Sequence, residues 1–185
     1  ARNGLTACFD PKPIANAAGS GMHINVSPNM PKGGDCFYPF MAGVLEHISE
    51  ITLFLNPTAQ SYLRLGSNKA PQYISWSPEN RSQLIRIPAG VKGQNRIELR
   101  SPDANANPYI AYALLIYAGL DGIERGLTPP PSADFNFFTA SEQELTGYKK
   151  LPDSVKKAAA EASNSEFVKK YIPPQIIKDF VSCGR

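Results

Sequence analysis

Acidic residues are nearly absent from the middle of this chain: between Leu55 and Ile97 there is one, Glu79, against Arg64, Lys69, Arg81, Arg86, Lys92 and Arg96. Such a segment expects an anion. Other absences narrow the field further. No apolar run approaches the roughly 20 residues that cross a bilayer, which leads us to expect no membrane partner. The first residues, "ARNGLTACFD", lack the charged-then-apolar build of a secretory signal, so a cytoplasmic location is expected. The three cysteines, Cys8, Cys36 and Cys183, are odd in number and far apart, which suits neither a disulfide framework nor paired zinc ligands. They are read as reduced thiols. There is no GxxxxGK[ST] loop, so a nucleotide would be gripped by side-chain cations and metal instead of a glycine cradle. Internal repeats and low-complexity tracts are also missing.

What is present suffices for one domain with a real core: 185 residues, 42% hydrophobic and 19% charged. The net charge of +3 is small, so charge informs by position. In the basic segment most cations are arginines, whose planar fork grips carboxylate or phosphate with two bonds. Lysine dominates after Gly147 and reads as helix surface.

Residues from about Leu5 to Ser27 alternate as strands broken by "DPKPIANAAGSG". In "MHINVS", Met22, Ile24 and Val26 fall on one face and His23, Asn25 and Ser27 on the other. Residues 38–55 have the three-and-four apolar spacing of an amphipathic helix, at Phe40, Met41, Val44, Leu45, Ile48, Ile51 and Leu55. His47, between Glu46 and Glu50, faces away from that stripe and is read as solvated. "QYISWS" and "SQLIRIP" are two strands joined by "PENR"; Arg86, embedded in so apolar a strand, needs a partner. In "NRIELR", Arg96, Glu98 and Arg100 share one face and Ile97 and Leu99 the other. Asn107 and Pro108 cap a helix running to about Arg125, apolar almost all round and so expected at the centre of the core. After the stiff connector "GLTPPPSAD", helices are expected to begin near Asp153 and at about Gln175. The fold class expected is α+β: a mostly antiparallel sheet with one face lining a site and helices packed on the other.

On that face, one histidine and one carboxylate on neighbouring strands can share a divalent ion, and with oxygen donors added the choice tilts to Mg²⁺ or Mn²⁺. Arginines around such an ion would hold phosphate oxygens. Plainer alternatives stay open: the histidine as a hydrogen-bonded structural residue, and the Arg-Glu-Arg strand as a laddered surface. The basic strip with Tyr62, Tyr73 and Trp76 also has the make-up of a single-stranded nucleic-acid surface.

"GSGMHINVS", "SYLRL" followed by "AP", "WSPENRSQLIRIP" and "NRIELRSPDANANPYIAYALLIYAGLDGI" occur in the order and spacing of the catalytic domain of the glutamine synthetase family. The chain resembles that family from about Cys8 to Gly126, more weakly through "LPDSVKKA". The resemblance implies ATP-dependent condensation of glutamate with ammonia through a γ-glutamyl phosphate. It places metal (Mg²⁺ or Mn²⁺) on His23 and Glu98, and glutamate on Arg64, Arg100 and the backbone around Gly19. Nucleotide and phosphoryl contacts fall on Arg81, Arg86, Arg96, Ser27 and Asn25, with Arg81 and Lys69 at the catalytic positions. Because the arginines occupy family positions, no nucleic-acid partner is expected.

The departures carry information of their own. Lys69 stands where the family usually has a flap glutamate that takes a proton from ammonium, and a protonated lysine has no lone pair to receive one. Ala18 replaces an asparagine, Asn25 a common histidine, and Phe138 the tyrosine that some bacterial members adenylylate. A ligase using another amine, or an impaired relative that only senses ligands, therefore stands beside the ordinary ligase. The resemblance also implies an amino-terminal β-grasp domain and first catalytic strands outside this chain. Residues 1–185 are then expected to be the carboxy-terminal part of the catalytic domain, with strands and helices over 1–126 and a helical tail over about 127–185. Such a piece is expected to be inactive alone, its parent a large homo-oligomeric ring.

Overall fold

A computed structural model describes residues 3–29, 35–67, 69–89 and 96–183. Lys92 and the side chain of Cys183 lie outside the described residues. Four short strands, β1 (Ile24–Val26), β2 (Trp76–Pro78), β3 (Ile85–Ile87) and β4 (Ile97–Leu99), form one sheet in the order β1-β4-β3-β2. The β1–β4 and β4–β3 pairs are antiparallel, and β2–β3 is parallel. A parallel pair so close in sequence requires an abrupt reversal, and Glu79 supplies it at φ 61°, in the left-handed region. The architecture is the expected α+β, with a mostly antiparallel sheet.

The sheet separates apolar from polar as period two demands. Ile24, Ile85, Ile97 and Leu99 point into the core, while the register aligns Asn25, Glu98, Arg86 and Ser77 in one row across the four strands. Helix α1 (Phe37–Leu55) is the core's centre: all seven stripe residues are buried. Helix α3 (Pro108–Glu124) crosses it, started by Asn107, whose side chain accepts the amide N–H groups of Tyr109 and Ile110. At the crossing the backbones nearly touch, since a Cβ on Gly43 would lie 2.1 Å from the Ala118 carbonyl oxygen and one on Gly122 2.2 Å from that of Pro39. The chain is completed by α2 (Ala59–Arg64), α4 (Glu142–Leu145), α5 (Val155–Asn164), α6 (Glu166–Tyr171) and α7 (Pro174–Cys183).

Four expectations need correction. Residues 5–10 form no strand; no partner strand among the described residues flanks them, and Leu5 and Phe9 stand exposed. Helix α3 is not enclosed all round: its small residues seat it on α1, which leaves Tyr109, Tyr112, Ile116 and Leu120 on the outer face. His47 is not solvated, being only 8% exposed. Its Nδ1 lies 2.9 Å from Glu50 and its Nε2 2.8 Å from Asp121 of α3, and Phe167 of α6 stacks on its ring at 3.9 Å. Neighbouring helices cover what a single helical wheel shows as an outer face. Finally, the tail has two more helices, α4 and α6, each begun by a serine cap, Ser141 and Ser165. No helix of the described residues is long and apolar enough to cross a membrane.

Candidate active site

The polar face of the sheet opens on a cavity of about 410 Å³ whose ionisable lining is His23, Arg64, Lys69, Arg81, Arg86, Glu98 and Arg100. Strand pairing makes the convergence. Because Ile24 registers with Leu99, the preceding His23 and the following Arg100 come together on the face that holds Glu98. The Glu98 carboxylate is the hub. Its Oε2 accepts from Arg86 Nε at 2.6 Å and from Arg100 Nη1 at 3.2 Å, while Oε1 lies 3.1 Å from His23 Nδ1. Arg86 thus has the partner its apolar strand required.

Burial acts to raise the Glu98 pKa, but the hydrogen bond from Arg86 and the charges of Arg100, Arg86 and His23 outweigh it and hold the carboxyl at about 2. For His23 burial comes first, then the charge of Arg100; both push its pKa below the usual value, against the pull of Glu98. A neutral imidazole that donates from Nδ1 to Glu98 keeps a lone pair on Nε2.

Two arginines are built into the frame. Arg64, at the end of α2, is 2% exposed and donates to the carbonyls of Ser101 at 2.6 Å and Arg100 at 3.1 Å. The capping box of Thr58 and Ser61 starts its helix. Arg100 donates from Nη2 to the Lys69 carbonyl at 3.3 Å, and its buried Nε has no partner among the described residues. Burial lowers the pKa of both, yet arginine keeps its proton in a protein. Arg81 is exposed at the rim and has no ion-pair partner among the described residues. Five cations therefore surround one carboxylate that is already shared.

Gly19 and Gly21 form the opposite wall. A Cβ on Gly21 would meet Arg64 Nη2 at 2.8 Å and His23 Nε2 at 3.2 Å, and one on Gly19 would meet the Pro11 carbonyl at 2.3 Å. Only glycine lets the backbone approach this closely.

The remaining expected site residues stand apart from this cavity. Arg96 donates to the Asn25 side chain at 3.2 Å, further along β1, and Ser27 is exposed at that strand's end with no side-chain partner among the described residues. Sequence reasoning missed two contributors. Gly21 was legible as the second glycine of "GSG". Lys12 gave no signal; its Nζ bonds the Ala17 carbonyl at 2.7 Å and Ser67 Oγ at 3.2 Å, tying the glycine loop to the turn that precedes Lys69.

His23 and Glu98 fit a hard divalent cation in kind, as a free imidazole nitrogen beside an ionised carboxylate. In number they are incomplete: no group of three or more His, Cys, Asp or Glu residues that could hold a metal occurs among the described residues. Glu98 already receives three hydrogen-bonding partners, so further ligands would have to come from bound phosphate, water or residues outside this cluster.

The family described as "Glutamine synthetase, catalytic domain" matches residues 1–185, well beyond the stretch of strongest motifs. The glutamine synthetase of Methanosarcina mazei is 41% identical over 96% of this chain and 43% of its own length. That of Clostridium saccharobutylicum is 38% identical over 98% of this chain and 44% of its own. A solved structure of a GmaS/ADP complex superposes with a TM-score of 0.85 at 31% identity, over 100% of this chain and 46% of that one. Apo GmaS without ligand gives 0.84 at 32% identity, over 100% and 44%. The chain spans less than half the length of these relatives.

Proposed function

The chain belongs to the glutamine synthetase family, matching its catalytic domain, and from that premise we propose that the whole protein joins ammonia to the γ-carboxylate of glutamate with ATP as co-substrate. One observation carries the reading: five cations and a histidine, its pKa pushed down by burial and by Arg100, are gathered around a single carboxylate at a cavity sized for a small ligand. Bringing the carboxylate of glutamate against the γ-phosphate of ATP demands that two anions be neutralised together, and this lining does that.

In the proposed reaction a γ-carboxylate oxygen attacks the terminal phosphorus and ADP leaves. The ammonia nitrogen then attacks the γ-carbonyl carbon. Phosphate departs with the electron pair of the broken C–O bond, and one N–H proton goes to the phosphate. Arg64 and Arg100, with the backbone at Gly19, hold glutamate. Arg81 and Arg86 face the transferred phosphoryl group, and Arg96, Asn25 and Ser27 lie along the strand toward the rest of the nucleotide. His23 and Glu98 hold a divalent ion, Mg²⁺ or Mn²⁺, which supplies charge neutralisation when bound. The GmaS structure found with ADP supports nucleotide binding on this fold. As a proposal of the same kind, this chain works as the carboxy-terminal part of a larger homo-oligomeric enzyme and is inactive by itself.

Lys69 favours a second reading, in which the amine is not ammonia or turnover is impaired. Its ammonium lines the cavity but cannot accept a proton from a substrate. Assaying the whole protein with glutamate, ATP, Mg²⁺ and ammonia separates the readings. Glutamine and phosphate formed in equal amounts establish the first. Glutamate-dependent ADP release without glutamine points to the second, and failure to release ADP under any condition removes the ligase assignment.

A further inference from the structure

Beside the arginine-lined cavity lies a second one of about 590 Å³, and Lys69 lines both. Its walls are Tyr73, Phe137 and Phe138, with Gln72 and Ser82 as polar members. These walls are held before any ligand arrives. Tyr73 is bridged to Lys150, Phe137 donates its backbone N–H to Ser82 Oγ at 3.0 Å, and Phe137 stacks on Phe135 at 4.5 Å. Gln83 and Asn80 tie the same segment down by donating to the Phe135 carbonyl at 3.1 and 2.9 Å.

The turn carrying Lys69 is fixed as well. Gly66 N–H donates to the Ala70 carbonyl at 3.1 Å, and Arg100 holds the Lys69 carbonyl. Lys69 itself sits at φ 75°, in the left-handed region that disfavours a long side chain. Its ammonium has no hydrogen-bond or ion-pair partner among the described residues. A single unpaired cation is thus presented at the boundary between an anion-holding cavity and an aromatic one.

We propose that Lys69 selects the nitrogen substrate, and that the amine taken here bears a carboxylate together with an apolar or aromatic substituent. This rests on the second reading above, a glutamate ligase of the same chemistry whose amine is not ammonia. The second cavity is far larger than ammonia needs, since a water-sized molecule takes about 30 Å³. A simple alkylammonium would enter a region where cations already outnumber the one carboxylate. An amine with its own carboxylate brings the missing charge, pairs it with Lys69, and lays its substituent on Phe137 and Phe138. A lone lysine with an amide and a hydroxyl nearby suits a monovalent carboxylate; the divalent phosphate belongs with the arginine cluster on the other side. The nitrogen, reacting as the free base, forms the bond to the γ-carbonyl carbon. The acyl-phosphate C–O bond breaks, its pair leaves with phosphate, and one N–H proton goes to that phosphate.

The test uses the whole protein with glutamate, ATP and Mg²⁺, and compares phenylalanine with phenethylamine, which has the same ring and lacks the carboxylate. Product mass and ADP release are measured for wild type, Lys69→Met and Lys69→Arg. Phenylalanine is expected to be used with a kcat/KM at least about 10-fold above phenethylamine, the ratio falling to near one in Lys69→Met and returning in Lys69→Arg. A ratio of one or less in wild type, or a ratio that survives in Lys69→Met, overturns the proposal. If no amine, ammonia included, supports glutamate-dependent ADP release, the ligase reading has failed. Calorimetry with ADP present then decides the pocket separately. Phenylalanine binding that depends on Lys69 upholds the assignment, and no such binding refutes it.

Discussion

His23 Nδ1 and Glu98 Oε1 lie 3.1 Å apart across the β1–β4 pair, so the two residues expected to share a cation touch each other directly. They differ in what else depends on them. Glu98 also neutralises Arg86 and the buried Arg100, while His23 has a third of its side chain exposed.

That difference separates stability from metal binding. Glu98→Ala strands two cations, one of them buried, and is expected to destabilise the fold by roughly 3 kcal/mol. His23→Ala removes one hydrogen bond at a half-open site and is expected to cost about 1 kcal/mol. Both variants of the whole protein should nonetheless lose Mn²⁺ affinity by about 100-fold, since even partners of metal ligands contribute 10- to 100-fold. Urea denaturation and Mn²⁺ titration check the two halves. Unchanged Mn²⁺ binding in either variant would remove that residue from the metal role.

Gly21→Ala is expected to act on the site more than on the fold. The added methyl meets the His23 ring at 3.2 Å, a movable end, and the Arg64 Nη2 at 2.8 Å, which can give way only by lengthening its 3.1 Å bond to the Arg100 carbonyl. The fold can yield by shifting them, at a cost of about 1 kcal/mol. The site cannot, because those atoms line the cavity. Glutamate-dependent ADP release should fall at least about 10-fold with a melting temperature within a few degrees of wild type, whereas a large drop in melting temperature with normal activity would reverse this assignment.

The opposite holds at the helix crossing. Replacing a helical glycine by alanine adds about 1 kcal/mol of helix propensity. In Gly122→Ala, however, the new Cβ would sit 2.2 Å from the Pro39 carbonyl and 2.6 Å from the Gly43 amide nitrogen, both rigid backbone. Overpacking therefore wins, and a net destabilisation of roughly 2 kcal/mol is expected, measured as a lower urea midpoint. A midpoint at or above wild type would show that the helices separate freely.

The alternation of "MHINVS" and "NRIELR" and the three-four stripe of α1 were legible because each depends only on period, and the structure places their apolar and polar faces accordingly; the weaker alternation at residues 5–10 found no partner strand among the described residues and formed none. Arg86 was legible as needing a partner, since desolvation of a charge is a local fact. What sequence could not supply was the third element. His47 faces away from its own helix's stripe, and only the arrival of α3 and α6 buries it. The outward Tyr112 and Ile116 of α3 show the converse: on a helix apolar all round, the face that carries Ala118, Gly119 and Gly122 beside Leu114 and Leu115 is the one buried, because those small residues let the backbone of α1 approach closely. Among the site residues, those on strands could be assigned a face, whereas Lys69 and Lys12 lie in turns whose direction no periodicity encodes.

His47 gives the last prediction, for it sits between two carboxylates with both ring nitrogens engaged and so joins α1, α3 and α6. Glu50 of α1 and Asp121 of α3 meet its ring nitrogens, and each is held in turn: Ser165 Oγ donates to Glu50 at 2.7 Å, and Arg125, just past the end of α3 and 3.9 Å from Glu46, donates to Asp121 at 2.8 Å, with the charge of Lys170 also acting on Asp121. For Asp121, burial acts to raise the pKa, but the hydrogen bonds from His47 and Arg125 prevail and hold it below 3.8. A carboxyl whose pKa is lower folded than unfolded binds more protons when unfolded. Its contribution to stability is therefore complete above about pH 3.8 and disappears as the pH falls through the folded value. Asp121→Asn should lower the urea midpoint relative to wild type at pH 6, and the gap between the two should begin to narrow as the pH falls below 3.8. His47→Ala removes the contacts with both carboxylates and the ring stack at once and is expected to cost roughly 2 kcal/mol at pH 6. A constant gap between wild type and Asp121→Asn from pH 6 to pH 3 would mean that Asp121 stabilises by packing and not by its charge.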